Sequence, residues 1–100
     1  MREAEIQSEI LSYLFTIGVF CWRQNNLAAP GRRFTGKKGC PDILGLTPNG
    51  TFLGIEVKSE KGKLSPEQKN FQHAIIENNG LYIIATGIKD LLPYLKYFRK

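Results

Sequence analysis

Long apolar runs are missing from this chain. The longest, Leu81-Tyr82-Ile83-Ile84-Ala85, covers five residues, whereas a membrane-spanning helix needs ~20. The chain is therefore expected neither to span a membrane nor to begin with a signal peptide. Cysteine is scarce: Cys21 and Cys40 are the only two of the 100 residues, and they lack the paired spacing of a zinc site. They are expected to be reduced thiols in a cytoplasmic protein, although a Cys21–Cys40 disulfide stays open. There is one histidine, His73, read as an ordinary helical residue rather than a catalytic base. No internal repeat or low-complexity segment occurs. Acidic residues are outnumbered, 9 against 14 basic, for a formal charge of +5 and a pI near 9.4. That balance favours a polyanionic partner without identifying one. A hydrophobic content of 42% excludes a disordered chain, and the length fits one domain over 1–100.

What is present is concentrated between Gly39 and Lys58. Cys40 to Leu46 and Thr51 to Val57 read as two apolar strands, yet they carry Asp42 and Glu56, with Lys58 just beyond. Buried charge is costly unless it is paired or binds a metal. The turn between the strands fixes how these residues meet. Thr47-Pro48-Asn49-Gly50 has Pro at the second position of a type I turn and Gly at the left-handed position after it, the three-residue loop closed by a Gly bulge. Thr47 then faces Thr51, and counting back sets Asp42 opposite Glu56. A two-residue loop would instead put Asp42 opposite Val57, on the other face. By strand alternation Lys58 shares the face of Glu56.

Two adjacent carboxylates repel one another unless a divalent cation lies between them. Mg²⁺ or Mn²⁺ prefers oxygen ligands, keeps several waters and accepts contacts from phosphate. A lysine beside it can orient or deprotonate an attacking water, or stabilise charge in the transition state. The alternative is a salt-bridged sheet face in which Lys58 only neutralises Glu56.

The flanks supply helices, two further strands and a basic loop. Ile6, Ile10, Tyr13, Leu14 and Ile17 recur at helical spacing over residues 3 to 17, and Gly18 ends the run. Glu3 lies on the margin of that stripe with Gln7 one turn on, so Glu3 is either a first-turn acid favoured by the helix dipole or a residue able to reach a core site. Val19 to Gln24 reads as the first strand, from which Arg23 could reach substrate or a neighbouring carboxylate. Residues 25 to 39 hold three Gly, one Pro and the four cations Arg32, Arg33, Lys37 and Lys38. They form either a solvated charge run or a phosphate clamp in which Phe34 can stack or wedge. Ser65-Pro66-Glu67-Gln68 is a capping box opening a second helix to about Asn78, with Gly80 as its stop. Gln68 also falls on the inner stripe with Phe71 and Ile75, and Lys63 stands near that helix N-terminus, where it could support a phosphate. Leu81 to Ala85 is expected to be a central strand, parallel to its neighbour through a right-handed helical crossover. A last helix is expected from Asp90, with Pro93 in its first turn and Leu92, Leu95 and Phe98 left over for a contact with another subunit.

The pattern Pro41-Asp42 followed by Glu56-Val57-Lys58 is similar to the PD-(D/E)XK nuclease signature. The longer string, Gly39-x-Pro41-Asp42 through Ile55-Glu56-Val57-Lys58-x-x-x-Gly62-Lys63-Leu64-Ser65-x-x-Gln68, resembles the VRR-NUC branch of that superfamily in its stand-alone, phage-type form. The resemblance implies an α/β, restriction-endonuclease-like fold: a mixed central sheet flanked by helices, in the order α-β-β-β-α-β-α. It implies catalytic roles for Asp42, Glu56, Lys58, Gln68 and Glu3, metal ligation by Asp42, Glu56 and Val57, and nucleic-acid contacts from Arg23, Arg32, Arg33, Lys37, Lys38 and Lys63. The function expected is a Mg²⁺- or Mn²⁺-dependent endodeoxyribonuclease selective for branched or structured DNA. Holliday-junction resolution by a homodimer is its foremost form, with no organic cofactor. The alternatives are a nuclease-fold module that binds nucleic acid without cutting it, and a monomer that cuts flaps or nicks.

Overall fold

A computed structural model describes residues 2–24 and 37–99. Its elements are α1 (Glu3–Thr16), β1 (Phe20–Arg23), β2 (Ile43–Leu46), β3 (Phe52–Val57), α2 (Pro66–Glu77), β4 (Leu81–Ala85) and a C-terminal 3₁₀ helix (Ile88–Phe98). Among the described residues the strands form one sheet in the order β1-β2-β3-β4. The first three strands run antiparallel, and β3 pairs with β4 in parallel, as a helical crossover requires.

Strand alternation sorts the side chains onto two faces. Ile43, Leu53, Ile55, Val57, Ile83 and Ala85 form one, and they are packed with Ile6, Ile10 and Leu14 of α1 and with Leu91 and Phe98 of the 3₁₀ helix. The other face carries Leu44, Gly54, Glu56 and Tyr82, with α2 above it. A Cβ on Gly54 would stand 2.9 Å from Cδ1 of Ile75 and 2.9 Å from Cγ of Pro41, so the absence of a side chain there lets α2 and the Pro41 segment close onto the sheet.

The β2–β3 hairpin has the expected odd-numbered loop. The Gly50 amide donates to the Thr47 carbonyl at 2.9 Å, the Thr47 amide to the Thr51 carbonyl at 2.9 Å, and Gly50 has φ +89°. Pairing runs Leu46 to Phe52 and Ile43 to Ile55, which by extension sets Asp42 opposite Glu56. Among the described residues no helix is long and apolar enough to cross a membrane.

Three expectations need correction. The β4 strand lies at the end of the described sheet, not in its centre: Ile83 and Ala85 enter the core and Tyr82 is buried on the α2 side, but Ile84 is exposed, so the apolar run is not covered throughout. The left-handed residue that ends α2 is Asn79, with φ +64°, rather than Gly80. The Asn79 amide donates to the Ile76 carbonyl and the Gly80 amide to the Ile75 carbonyl, the crossed pair of bonds of a Schellman ending. The last helix starts at Ile88 and is a 3₁₀ helix with Pro93 in its interior. Its period of three brings Ile88, Leu91 and Tyr94 inward together, while Leu95 packs on the core and Phe98 is buried within it. The stripe that looked too broad for an α-helix is therefore satisfied largely within the chain.

A candidate metal-dependent nuclease site

Two strand ends and two helix starts converge at one end of the sheet. Asp42 enters β2 directly opposite Glu56 of β3, and its Oδ2 accepts a 2.8 Å bond from the Val57 amide, which holds the carboxylate against the end of β3. Glu56 is 2% exposed. Its Oε2 accepts a 3.0 Å bond from Nε2 of Gln68 and lies 3.8 Å from Nζ of Lys58. Its Oε1 is buried without a hydrogen-bond partner.

The first turn of α2 is what brings Gln68 there. The Ser65 amide donates to Gln68 Oε1 at 2.8 Å and the Gln68 amide to Ser65 Oγ at 3.2 Å, a complete capping box. The same side-chain amide that closes the box with its oxygen thus points its nitrogen at Glu56. Gln68 therefore both caps α2 and donates to Glu56. Gly39, with φ +81°, lies so close to this turn that a Cβ would overlap the Glu67 backbone carbonyl. That contact ties the Pro41-Asp42 approach to the start of α2. From the other side of the sheet, Glu3 in the first turn of α1 accepts a 3.0 Å bond from the Ser59 amide through its Oε2. It therefore reaches the chain one residue beyond Lys58.

Among the described residues, burial and neighbouring carboxylates act against ionisation of Glu56. Burial pushes the Glu56 carboxyl from an ordinary 4.5 up to about 8; the negative charge of Asp42 and a hydrogen bond shared with it add to the rise, Lys58 opposes it, and Glu3 adds a little more. Burial, then the Glu56 and Asp42 carboxylates, raise the neighbouring Cys40 thiol. The same three causes raise the Tyr82 hydroxyl, which is itself buried without a partner. Two opposed carboxylates with one unpartnered buried oxygen form a donor set that fits a hard divalent cation. Among the described residues no group of three or more His, Cys, Asp or Glu forms a closed metal cage. An ion held here would complete its shell with backbone oxygen, for which Val57 is suitably positioned in sequence, and with water or phosphate.

The profile of the VRR-NUC domain matches residues 18–89, a span that contains Asp42, Glu56, Lys58 and Gln68. The chain belongs to the VRR-NUC family. Over 95 residues it is 30% identical to "Putative nuclease p44" of Acyrthosiphon pisum secondary endosymbiont phage 1, covering 95% of this chain and 92% of that one. Two solved VRR-NUC domain structures share its fold at 20% identity. One superposes with a TM-score of 0.65 over 97% of both chains, the other with 0.71 over 97% of this chain and 88% of its own. The mixed sheet with helices on both faces is accordingly the restriction-endonuclease-like fold, and the domain is a nuclease domain.

Other residues singled out in the sequence sit further away. Arg23 donates to Ser8 Oγ of α1 at 2.9 Å. Its odd position in β1 points it to the α1 side. Lys37 and Lys38 are exposed and flank a groove of about 570 Å³ formed with Glu67, Asn70, Phe71 and Ala74 of α2. Lys63 is exposed ahead of α2. Arg32, Arg33 and Phe34 lie outside the described residues. Cys21 and Cys40 form no disulfide with one another. Sequence reading passed over Tyr82, which looked like one more apolar residue of β4. Its parallel register with Gly54 is what puts it on the face of Glu56, and no local signal encodes that pairing.

Proposed function

We propose that this VRR-NUC domain is a Mg²⁺- or Mn²⁺-dependent endodeoxyribonuclease that hydrolyses phosphodiester bonds at the Asp42-Glu56-Lys58 site. One observation carries the reading: Glu56, buried opposite Asp42, keeps one oxygen unpartnered while Lys58 stands 3.8 Å from the other. The cation, when bound, neutralises phosphate charge and makes water more acidic. Asp42, Glu56 and the Val57 backbone carbonyl hold it. Lys58 takes a proton from the attacking water or stabilises the negative charge that builds on phosphate. Gln68 fixes the Glu56 carboxylate through Oε2, leaving Oε1 for the cation, and Glu3 braces the segment that carries Lys58. Lys37, Lys38 and Lys63, with Arg32 and Arg33, contact the sugar-phosphate backbone, and the working compartment is the cytoplasm of a bacterial host.

The substrate proposed is branched DNA, and a four-way junction foremost. Resolving a junction takes two coordinated cuts, one carboxylate cluster supplies one cut, and a two-fold homodimer supplies the second site. The C-terminal helix is a poorer dimer contact than its sequence suggests, because Phe98 is buried in the chain's own core and Leu95 packs against it, which leaves Leu92 and Tyr97 exposed. That observation favours a second reading, a monomer that cuts flaps or nicks. A cruciform plasmid separates the two. Linearisation by a species of twice the chain mass supports the resolvase; nicking alone by a monomer overturns it and leaves the nuclease standing.

A further inference from the structure

The sheet face that bears Asp42 and Glu56 does not stop at them. Moving along the strands by same-face steps of about 7 Å, the next row is Trp22, Leu44 and Gly54, and the one after it is Phe20, Leu46 and Phe52. Helix α2 covers the β3 side of this face, where Ile75 closes on Gly54. The β1–β2 side stays open: Phe20 is 68% exposed, Trp22 42%, Leu46 41% and Phe52 39%. Phe20 and Trp22 meet edge to face at 5.7 Å between centroids, and the Trp22 indole N–H is occupied by Gln24 Oε1 at 3.2 Å. A contiguous apolar surface of this kind marks a binding site rather than scattered exposure.

We propose that this aromatic surface receives unpaired DNA bases next to the cut. The proposal rests on reading Asp42 and Glu56 as the cutting site. A strand whose phosphate reaches that pair must continue in two directions. One passes the Lys37–Lys38 groove beside α2, where cations suit an intact duplex that offers only phosphates outward. The other passes Trp22 and Phe20, rows without a charged side chain. A duplex has nothing to give a ring there, because its bases are already stacked on one another. An unpaired base has a free π-face, and stacking on aromatic side chains tolerates any sequence. The asymmetry of the two flanks, cationic on one and aromatic on the other, thus matches DNA that is paired on one side of the cut and open on the other.

The chain contains a single tryptophan, so its emission reports this surface alone. The test titrates the full chain, in EDTA to prevent cutting, with a short oligothymidylate and with a blunt duplex, following Trp22 fluorescence. The expected result is quenching by the oligothymidylate and none by the duplex. Phe20→Ala and Phe52→Ala, both at solvent-exposed rings, should weaken oligothymidylate binding by about 5- to 100-fold and leave duplex binding unchanged. Unaltered Trp22 emission, or an equal loss for both ligands, would overturn the proposal. So would emission that shifts with protein concentration as the mass doubles, which would assign the surface to a second copy of the chain. Failure of the cutting site registers separately, as absence of cleavage with metal, because this binding assay needs neither.

Discussion

Without a cation, raising the pH should loosen this protein, and Glu56 is the reason. In the unfolded chain its carboxyl ionises near the ordinary 4.5, whereas in the folded chain burial and Asp42 hold the proton until about 8. Between those values the folded state binds more protons than the unfolded one, so stability is highest at the acid end and falls as pH rises toward 8. At about 1.4 kcal/mol per pH unit the loss over that window is on the order of 5 kcal/mol. That figure is an upper bound, since relaxation of the site and water penetration soften the cost of the buried charge. In a domain of this size 1 kcal/mol corresponds to about 4–8 °C in Tm, and a drop of at least about 5 °C between pH 5.5 and pH 8 is expected from melts in EDTA. Glu56→Gln should flatten the profile, because an amide carries no charge to repel Asp42. Millimolar Mn²⁺ should restore stability at pH 8, releasing protons as it binds. A wild-type Tm that is flat or rises with pH in EDTA, matched by Glu56→Gln, would refute the argument.

Other expectations follow from single contacts. Gly39→Ala should lower the urea midpoint by the equivalent of at least about 2 kcal/mol, because the residue has φ +81° and no room against the Glu67 carbonyl; unchanged stability would show that this approach is not constrained. Ser65→Ala and Gln68→Ala both break the capping box and should each cost about 1 kcal/mol, but only Gln68→Ala also removes the donor to Glu56. Cleavage rates normalised for folded fraction should therefore fall about 10- to 100-fold in Gln68→Ala alone, and an equal fall in Ser65→Ala would reduce Gln68 to a cap. Replacing Lys37 and Lys38 by Ala should lower the salt slope of DNA binding by roughly 1 to 2, whereas an unchanged slope would return them to a solvated charge run.

The centre of the site could be read from the sequence because its geometry is local. Pro48 favours the odd-numbered loop, the loop sets the register, and the register puts Asp42 opposite Glu56. The Ser65–Gln68 cap and the inner stripe of α2 are equally local, and the two ends of one amide close the cap and reach Glu56. What depended on pairing between distant strands was less legible. The run Leu81 to Ala85 says that the strand is apolar, not where the sheet ends, and Tyr82 is aligned with Gly54 only by the β3–β4 register. The face of Arg23 likewise follows from the pairing of β1 with β2. The 3₁₀ helix was misread for a different reason: a period of three looks like an over-wide stripe when counted at 3.6, so Leu95 and Phe98 appeared to be spare.

The central claim, that Asp42, Glu56 and Lys58 form a cation-dependent cutting site, is tested most directly by supercoiled-plasmid nicking, with wild type and Lys58→Ala assayed side by side in Mg²⁺ or Mn²⁺ and in EDTA. The wild type should nick only with the cation present. Lys58→Ala should retain Mn²⁺ binding and lose about 10²- to 10³-fold in rate, the scale of one transition-state charge contact. Nicking in EDTA, or full activity of Lys58→Ala, would contradict the account.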